Sequence, residues 1–186
     1  MRVIAGSAKG IQLASVPGKS TRPITDRVKE ALFNILGQNI VGISVLDLFG
    51  GTGSVGIEAL SRGAEHVVFM DINYKAYQVI QQNLKATNLA DYATVLKKDA
   101  FAFIREKSYS MFDLIYIAPP QYHGMWLKAM QLLDENPNLV GVRGIIIVQI
   151  HPKEFIDNVD YTNFMEFDQR KYGDTLLVFY KRSGLK

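Results

Sequence analysis

Between Val45 and Gly56 the chain reads VLDLFGGTGSVG, an apolar run that ends in glycines and then enters a stretch with helical spacing. Gly51, Gly53 and Gly56 satisfy G-x-G-x-x-G, and Asp71 closes the next apolar run, 20 residues after Gly51. Glycines at such a turn allow positive φ and let the backbone approach a ligand. A carboxylate at the end of the following strand can accept hydrogen bonds from both hydroxyls of a ribose. The chemistry suits an adenosine cofactor, and the loop by itself fits a dinucleotide as well as any other.

Three further features separate the possibilities. Asp47 precedes the glycines, where it would repel a pyrophosphate but can engage the ammonium of a methionine moiety, directly or through water. Asp99, after the third apolar run, is placed to accept from an adenine amino group. Ala118-Pro119-Pro120 follows the fourth run, at the carboxyl ends of the strands, where open α/β sheets bind ligands. Together they favour S-adenosylmethionine over a nicotinamide dinucleotide. Phe49, Gly50, Ile72 and Ala100, beside the glycines and acids, complete the expected cofactor contacts. Each acid also has a purely structural use: Asp47 as a cap on the glycine turn, Asp71 and Asp99 as helix N-caps.

These residues need a scaffold, and the chain spells one out. Apolar runs at 45–49, 67–70, 93–96, 114–117 and 145–150 alternate with amphipathic stretches at 54–61, 74–86, 101–105 and 126–133. That alternation predicts a mostly parallel sheet with helices on both faces. The runs 164–169 and 175–180 are joined by Lys171-Tyr172-Gly173-Asp174, too short for a helical crossover, so the sheet should end in an antiparallel hairpin. Before the sheet, Arg2–Ala5 and Ile11–Val16 read as a small hairpin or extended arm. A helix follows, capped by Thr25 or Asp26 and stopped by Gly37. The expected organisation is therefore an appendage over residues 1–39 and a catalytic domain over 40–186.

Composition narrows the classes. The 186 residues are 48% hydrophobic, enough for one substantial core, and contain no cysteine and three scattered histidines, which removes disulfides and thiolate metal sites and makes a metal unexpected. No apolar run approaches the length of a membrane span, so a cytoplasmic protein is expected. Net charge is +3, but Met1 to Leu36 carries six basic residues against two acidic ones, placing the positive charge in the N-terminal fifth and suggesting a nucleic-acid partner.

At these residues the chain resembles the class I methyltransferases, and more narrowly the bacterial RsmD family of small-subunit rRNA guanine-N2 methyltransferases. The similarity runs through Arg2-Val3-Ile4-Ala5-Gly6, Lys9-Gly10 and the specific stretch Arg22-Pro23-Ile24-Thr25-Asp26-Arg27-Val28-Lys29-Glu30-Ala31-Leu32-Phe33-Asn34. It continues through Asp47-Leu48-Phe49-Gly50-Gly51-Thr52-Gly53 and Gly56-Ile57-Glu58-Ala59-Leu60-Ser61-Arg62-Gly63. The resemblance implies a seven-stranded Rossmann-like sheet, S-adenosylmethionine as cofactor, no metal, and methylation of a guanine N2 in 16S rRNA, at guanine 966. The substrate would be ribosomal RNA, alone or within a small-subunit assembly particle. It further implies that the N-terminal segment covers the cofactor and presents RNA, with Arg2, Lys9, Arg22 and Arg27 as the RNA-contacting residues.

The chain departs from the family at one place. The family has Asp or Asn before Pro-Pro and an aromatic residue after it; here the run is Ala118-Pro119-Pro120-Gln121-Tyr122. An exocyclic guanine amine, its lone pair delocalised into the ring, needs acceptors that orient it toward the methyl group. Ala118 supplies none. Gln121 is the nearest amide in the chain that can replace it, and Tyr122 can stack on a flipped base. The alternatives are an inactive RNA-binding module of the same fold, a methyltransferase for DNA adenine or protein glutamine, and a dinucleotide-dependent oxidoreductase. His123, beside the loop, is read as polar surface.

Overall fold

A computed structural model describes residues 1–18, 24–106, 111–157 and 159–184. Seven strands form one sheet: β1 (Ser44–Asp47), β2 (His66–Asp71), β3 (Ala93–Lys97), β4 (Phe112–Ile117), β5 (Val140–Ile150), β6 (Phe164–Tyr172) and β7 (Thr175–Arg182), in the order β3-β2-β1-β4-β5-β7-β6. The first five pair in parallel, while β7 runs antiparallel to both β5 and β6. Five α-helices accompany them among the described residues: α1 (Asp26–Leu36), α2 (Ser54–Ser61), α3 (Tyr74–Thr87), α4 (Ala100–Arg105) and α5 (Met125–Glu135). The order reverses between β1 and β4, which makes the carboxyl ends of those two strands the place where a ligand fits.

The central strands are runs of Val, Ile, Leu and Phe because both of their faces are covered. On one face Val45, Leu114, Tyr116 and Ile147 pack with Leu32 and Phe33 of α1, Ile57 and Leu60 of α2, and Ile80 and Leu84 of α3. On the other, Leu46, Ile115, Ile117 and Val148 pack with Phe103 of α4 and Trp126 and Met130 of α5. Helix ends follow their capping residues. Thr25 accepts from the Val28 amide, Asn73 accepts from that of Lys75, and Asn88 closes α3 in the left-handed region at φ 57°.

Val140–Ile150 is longer than the expected 145–150, because Gly141, Arg143 and Gly144 interrupt the apolar pattern. Gly144 is needed there: a Cβ would lie 2.9 Å from the Phe112 carbonyl, beside the register shift between Phe112 and Leu114.

The N-terminal segment forms a small hairpin, with the Val3 amide donating to Ile11 and the Gly10 amide to Val3. Val3, Ala8, Leu13 and Val28 belong to the same apolar cluster as the sheet residues of that face, so the arm and α1 share its core.

Candidate active site

The glycine loop leaves β1 and turns back sharply. The Gly50 amide donates to the Met70 carbonyl at 2.7 Å and that of Gly53 to the Gly50 carbonyl at 2.7 Å, with Gly51 at φ 56° and Gly53 at φ 74°. A Cβ on Gly56 would stand 2.3 Å from Phe69 Cε1, so this glycine lets α2 lie close on β2. A Cβ on Gly51 would meet only the Phe49 carbonyl, at 3.9 Å, so this side of the loop is open to a ligand.

Asp71 stands over the loop. Its Oδ2 accepts from the Gly51 amide at 2.9 Å and its Oδ1 from the Asn73 amide at 2.8 Å. One backbone donor on each oxygen fixes the carboxylate and leaves further lone pairs for a pair of hydroxyls. Ile72, 66% exposed beside it, offers an apolar surface. Asp99 is the N-cap of α4, Oδ1 accepting from the Ala102 amide at 2.8 Å, and Ala100 is buried as the first residue of that helix. The glycine cradle, the anchored acid and the exposed apolar side chain fit the adenosine part of the cofactor. Phe49 sits half-buried, edge-on to Phe101.

Asp47 is in a different position from the other acids. It is 2% exposed and accepts from the Gly56 amide at 3.3 Å, under the loop. Gly53, the N-cap of α2, has no side chain to offer, so Asp47 caps that helix from the preceding strand. Burial pushes its carboxyl up to about 7; the Gly56 amide opposes the shift and the nearby Asp71 adds to it.

At the end of β4, Ala118 is half-buried against the core, Pro119 is buried, Pro120 is exposed and Gln121 is half-buried in a turn. Tyr122 is 64% exposed and holds φ 64° without being glycine. Its amide donates to Glu154 Oε2 at 2.7 Å, and its ring lies 5.6 Å from that of His151. The short turn Pro152–Glu154 after β5 thus braces the proline loop. His123 is exposed.

Lys9 and Arg27 are exposed, and Arg2 is exposed while pairing with Asp26 at 3.4 Å; Arg22 lies outside the described residues. Lys29, which the charge count includes in the basic N-terminus, is withdrawn from the surface. Its Nζ is fully buried, donating to the Arg2 carbonyl at 2.7 Å and to Ser54 Oγ at 3.0 Å, beside Glu58 at 3.4 Å. Burial lowers its pKa, against the pull of Glu58.

Sequence reasoning did not single out Glu58, Ser61 or Asn83. Glu58 accepts from the Ile4 and Ala5 amides at 2.7 and 3.0 Å and from Arg62 Nε at 2.7 Å. Ser61 Oγ accepts from the Ala8 amide and donates to the Ala5 carbonyl. Asn83 pairs with both backbone groups of Ala14 and also donates to the Thr52 carbonyl in the glycine loop. For Glu58 and Ser61 the signal was the spacing of three and four residues that places Glu58 beside Ser61 on α2 and beside Arg62 at its end.

The fold, with the glycine loop, the anchored Asp71 and the strand-end proline turn on one rim, is that of a class I, S-adenosylmethionine-dependent methyltransferase. The family described as Conserved hypothetical protein 95 matches residues 1–181. YlbH of Bacillus subtilis is 39% identical over 186 residues, 99% of this chain and all of that one. Ribosomal RNA small subunit methyltransferase D of Escherichia coli K12 is 35% identical over 136 residues, 73% of this chain and 68% of that one. The solved structure of yhhF from Escherichia coli superposes with a TM-score of 0.86 at 30% identity, covering 100% of this chain and 99% of that one. The chain belongs to this family, the RsmD family.

Proposed function

We propose that this protein methylates ribosomal RNA, at the exocyclic N2 of a guanine of the small subunit, the position implied by the resemblance being guanine 966. The observation that carries the reading is the pairing of β1 with β4. It brings the rim that ends in the glycine loop beside the rim that ends in Ala118-Pro119-Pro120-Gln121-Tyr122. The relative named for small-subunit rRNA methylation is 35% identical over 73% of this chain, which supports the reading.

When bound, S-adenosylmethionine supplies an electrophilic methyl group: the amine lone pair forms the N–C bond, the C–S pair stays on sulfur, and the amine then loses one proton to water. The protein's own part is positioning. Asp71 holds the ribose, with Ile72 and Asp99 at the adenine, and Phe49, Gly50, Gly51, Gly53 and Ala100 line the cofactor. Asp47 shapes the loop from below. The proline turn offers backbone carbonyls toward a flipped base, and exposed Tyr122 a ring on which it can stack. Residues 1–39 cover the cofactor side and, with Arg2, Lys9, Arg22 and Arg27, meet RNA phosphates. Among the described residues no helix is long and apolar enough to cross a membrane, in keeping with action on ribosomal RNA or an assembling subunit in the cytoplasm.

Nucleoside mass spectrometry with position mapping, on rRNA from cells with and without the gene, tests the reading. Loss of one N2-methylguanosine, restored by the purified protein, is the expected result. Cofactor and RNA binding with no methylated product at any assembly stage would mark an inactive binding module, the alternative that Ala118 favours.

A further inference from the structure

Ala118 offers only a methyl group where a substrate amine needs an acceptor, and the neighbouring strand brings an amide to the same place. β4 and β5 run in parallel with Tyr116 opposite Ile147 and Ile117 opposite Val148. One further step along both strands sets Ala118 beside Gln149. Because side chains alternate along a strand, Tyr116, Ala118 and Gln149 share a face. Two contacts agree with this: Ala118 packs against the cluster that holds Tyr116 and Ile147, and the Tyr116 hydroxyl donates to Gln149 Oε1.

Gln149 is half-buried and is the one polar side chain in the run GIIIVQI. An amide in a core strand loses hydration, so its polar atoms need partners. Its oxygen has two lone pairs and Tyr116 engages one. Tyr116 itself is 2% exposed, and burial pushes its pKa well up, so it stays a donor at neutral pH. Gln121, by contrast, sits in the turn beyond two prolines, where no strand pairing fixes it.

We propose that Gln149 is the side chain that accepts a hydrogen bond from the amine undergoing methylation, supplying the acceptor that Ala118 cannot, and that Tyr116 positions it. Gln149 takes no proton; the one released from the alkylated nitrogen leaves to water. The assignment rests on the reading of this protein as a base-nitrogen methyltransferase.

The test is single-turnover transfer from tritiated S-adenosylmethionine to small ribosomal subunits isolated from cells lacking the gene, with thermal unfolding and S-adenosylhomocysteine affinity measured for every variant. Gln149→Ala should slow transfer by roughly 10- to 1,000-fold with cofactor affinity unchanged, and Gln121→Ala by much less. Gln149→Glu, which keeps an acceptor, should retain most of the rate. Ala118→Asp should restore transfer in the Gln149→Ala background. Tyr116→Phe should lower the single-turnover rate by a smaller factor, with the half-saturating concentration of subunits unchanged. A folded Gln149→Ala protein that transfers as fast as the parent, or a Gln121→Ala protein that loses more, overturns the assignment of Gln149 alone. A folded, cofactor-binding parent with no transfer overturns the methyltransferase reading with it.

Discussion

Asp71 and Asp47 are both carboxylates at the end of a strand, yet their surroundings give them opposite properties. Asp71 is tied by two amides and open to solvent on its remaining side, so its contribution should appear in binding. Asp71→Ala should weaken S-adenosylhomocysteine affinity by about 1.5 to 3 kcal/mol in calorimetry while leaving the fold intact. Asp47 is closed off from water, with a carboxyl raised from 3.8 to about 7, and its contribution should appear in stability. The unfolded chain releases this proton near pH 4 and the folded chain only near pH 7. Stability is therefore lost as pH rises through that window, by up to about 4 kcal/mol. Asp47→Asn keeps an oxygen for the Gly56 amide and loses the charge. In urea unfolding, its advantage over the parent should grow between pH 4 and pH 7 and then level off; an advantage independent of pH would show that Asp47 is ionised in the fold.

Helix α2 carries the second kind of consequence, because its outer polar residues are occupied by the arm. Glu58 balances Lys29 and Arg62 and satisfies two amides at once. Glu58→Ala leaves a buried cation and orphaned donors, and should cost about 3 to 5 kcal/mol in urea unfolding; Glu58→Gln, which still accepts, should cost less. The strands and helices were largely legible in the sequence because parallel strands covered on both faces must be apolar runs. The first half of β5 was not, since its glycines serve a close backbone approach rather than a pattern. The glycine loop and Asp71 were legible because their contacts are local or at a fixed spacing. Gln149 was not, because its place beside Ala118 follows only from strand register.

For the molecule as a whole, the proposed contact with RNA turns on charge. If Lys9 and Arg27 contact phosphates, RNA affinity should fall with salt, and replacing either by Ala should lower the log-log slope by roughly 0.7 to 0.9 with little change in stability. A slope unchanged by both replacements would make them ordinary solvated surface. Lys29 belongs to a different account, since its buried charge is already balanced by Glu58. The net charge of the N-terminal segment was readable from the sequence, but its division into free and internally neutralised cations was not, because Glu58 lies in another element. The arm's attachments also set an order of events in synthesis. Its first residues leave the ribosome before any partner exists: the amides of Ile4 and Ala5 must wait for Glu58, and Ala14 must wait for Asn83. The arm thus docks only once α3 has been made, and a nascent chain halted before Asn83 emerges would hold the arm undocked, within reach of chaperones.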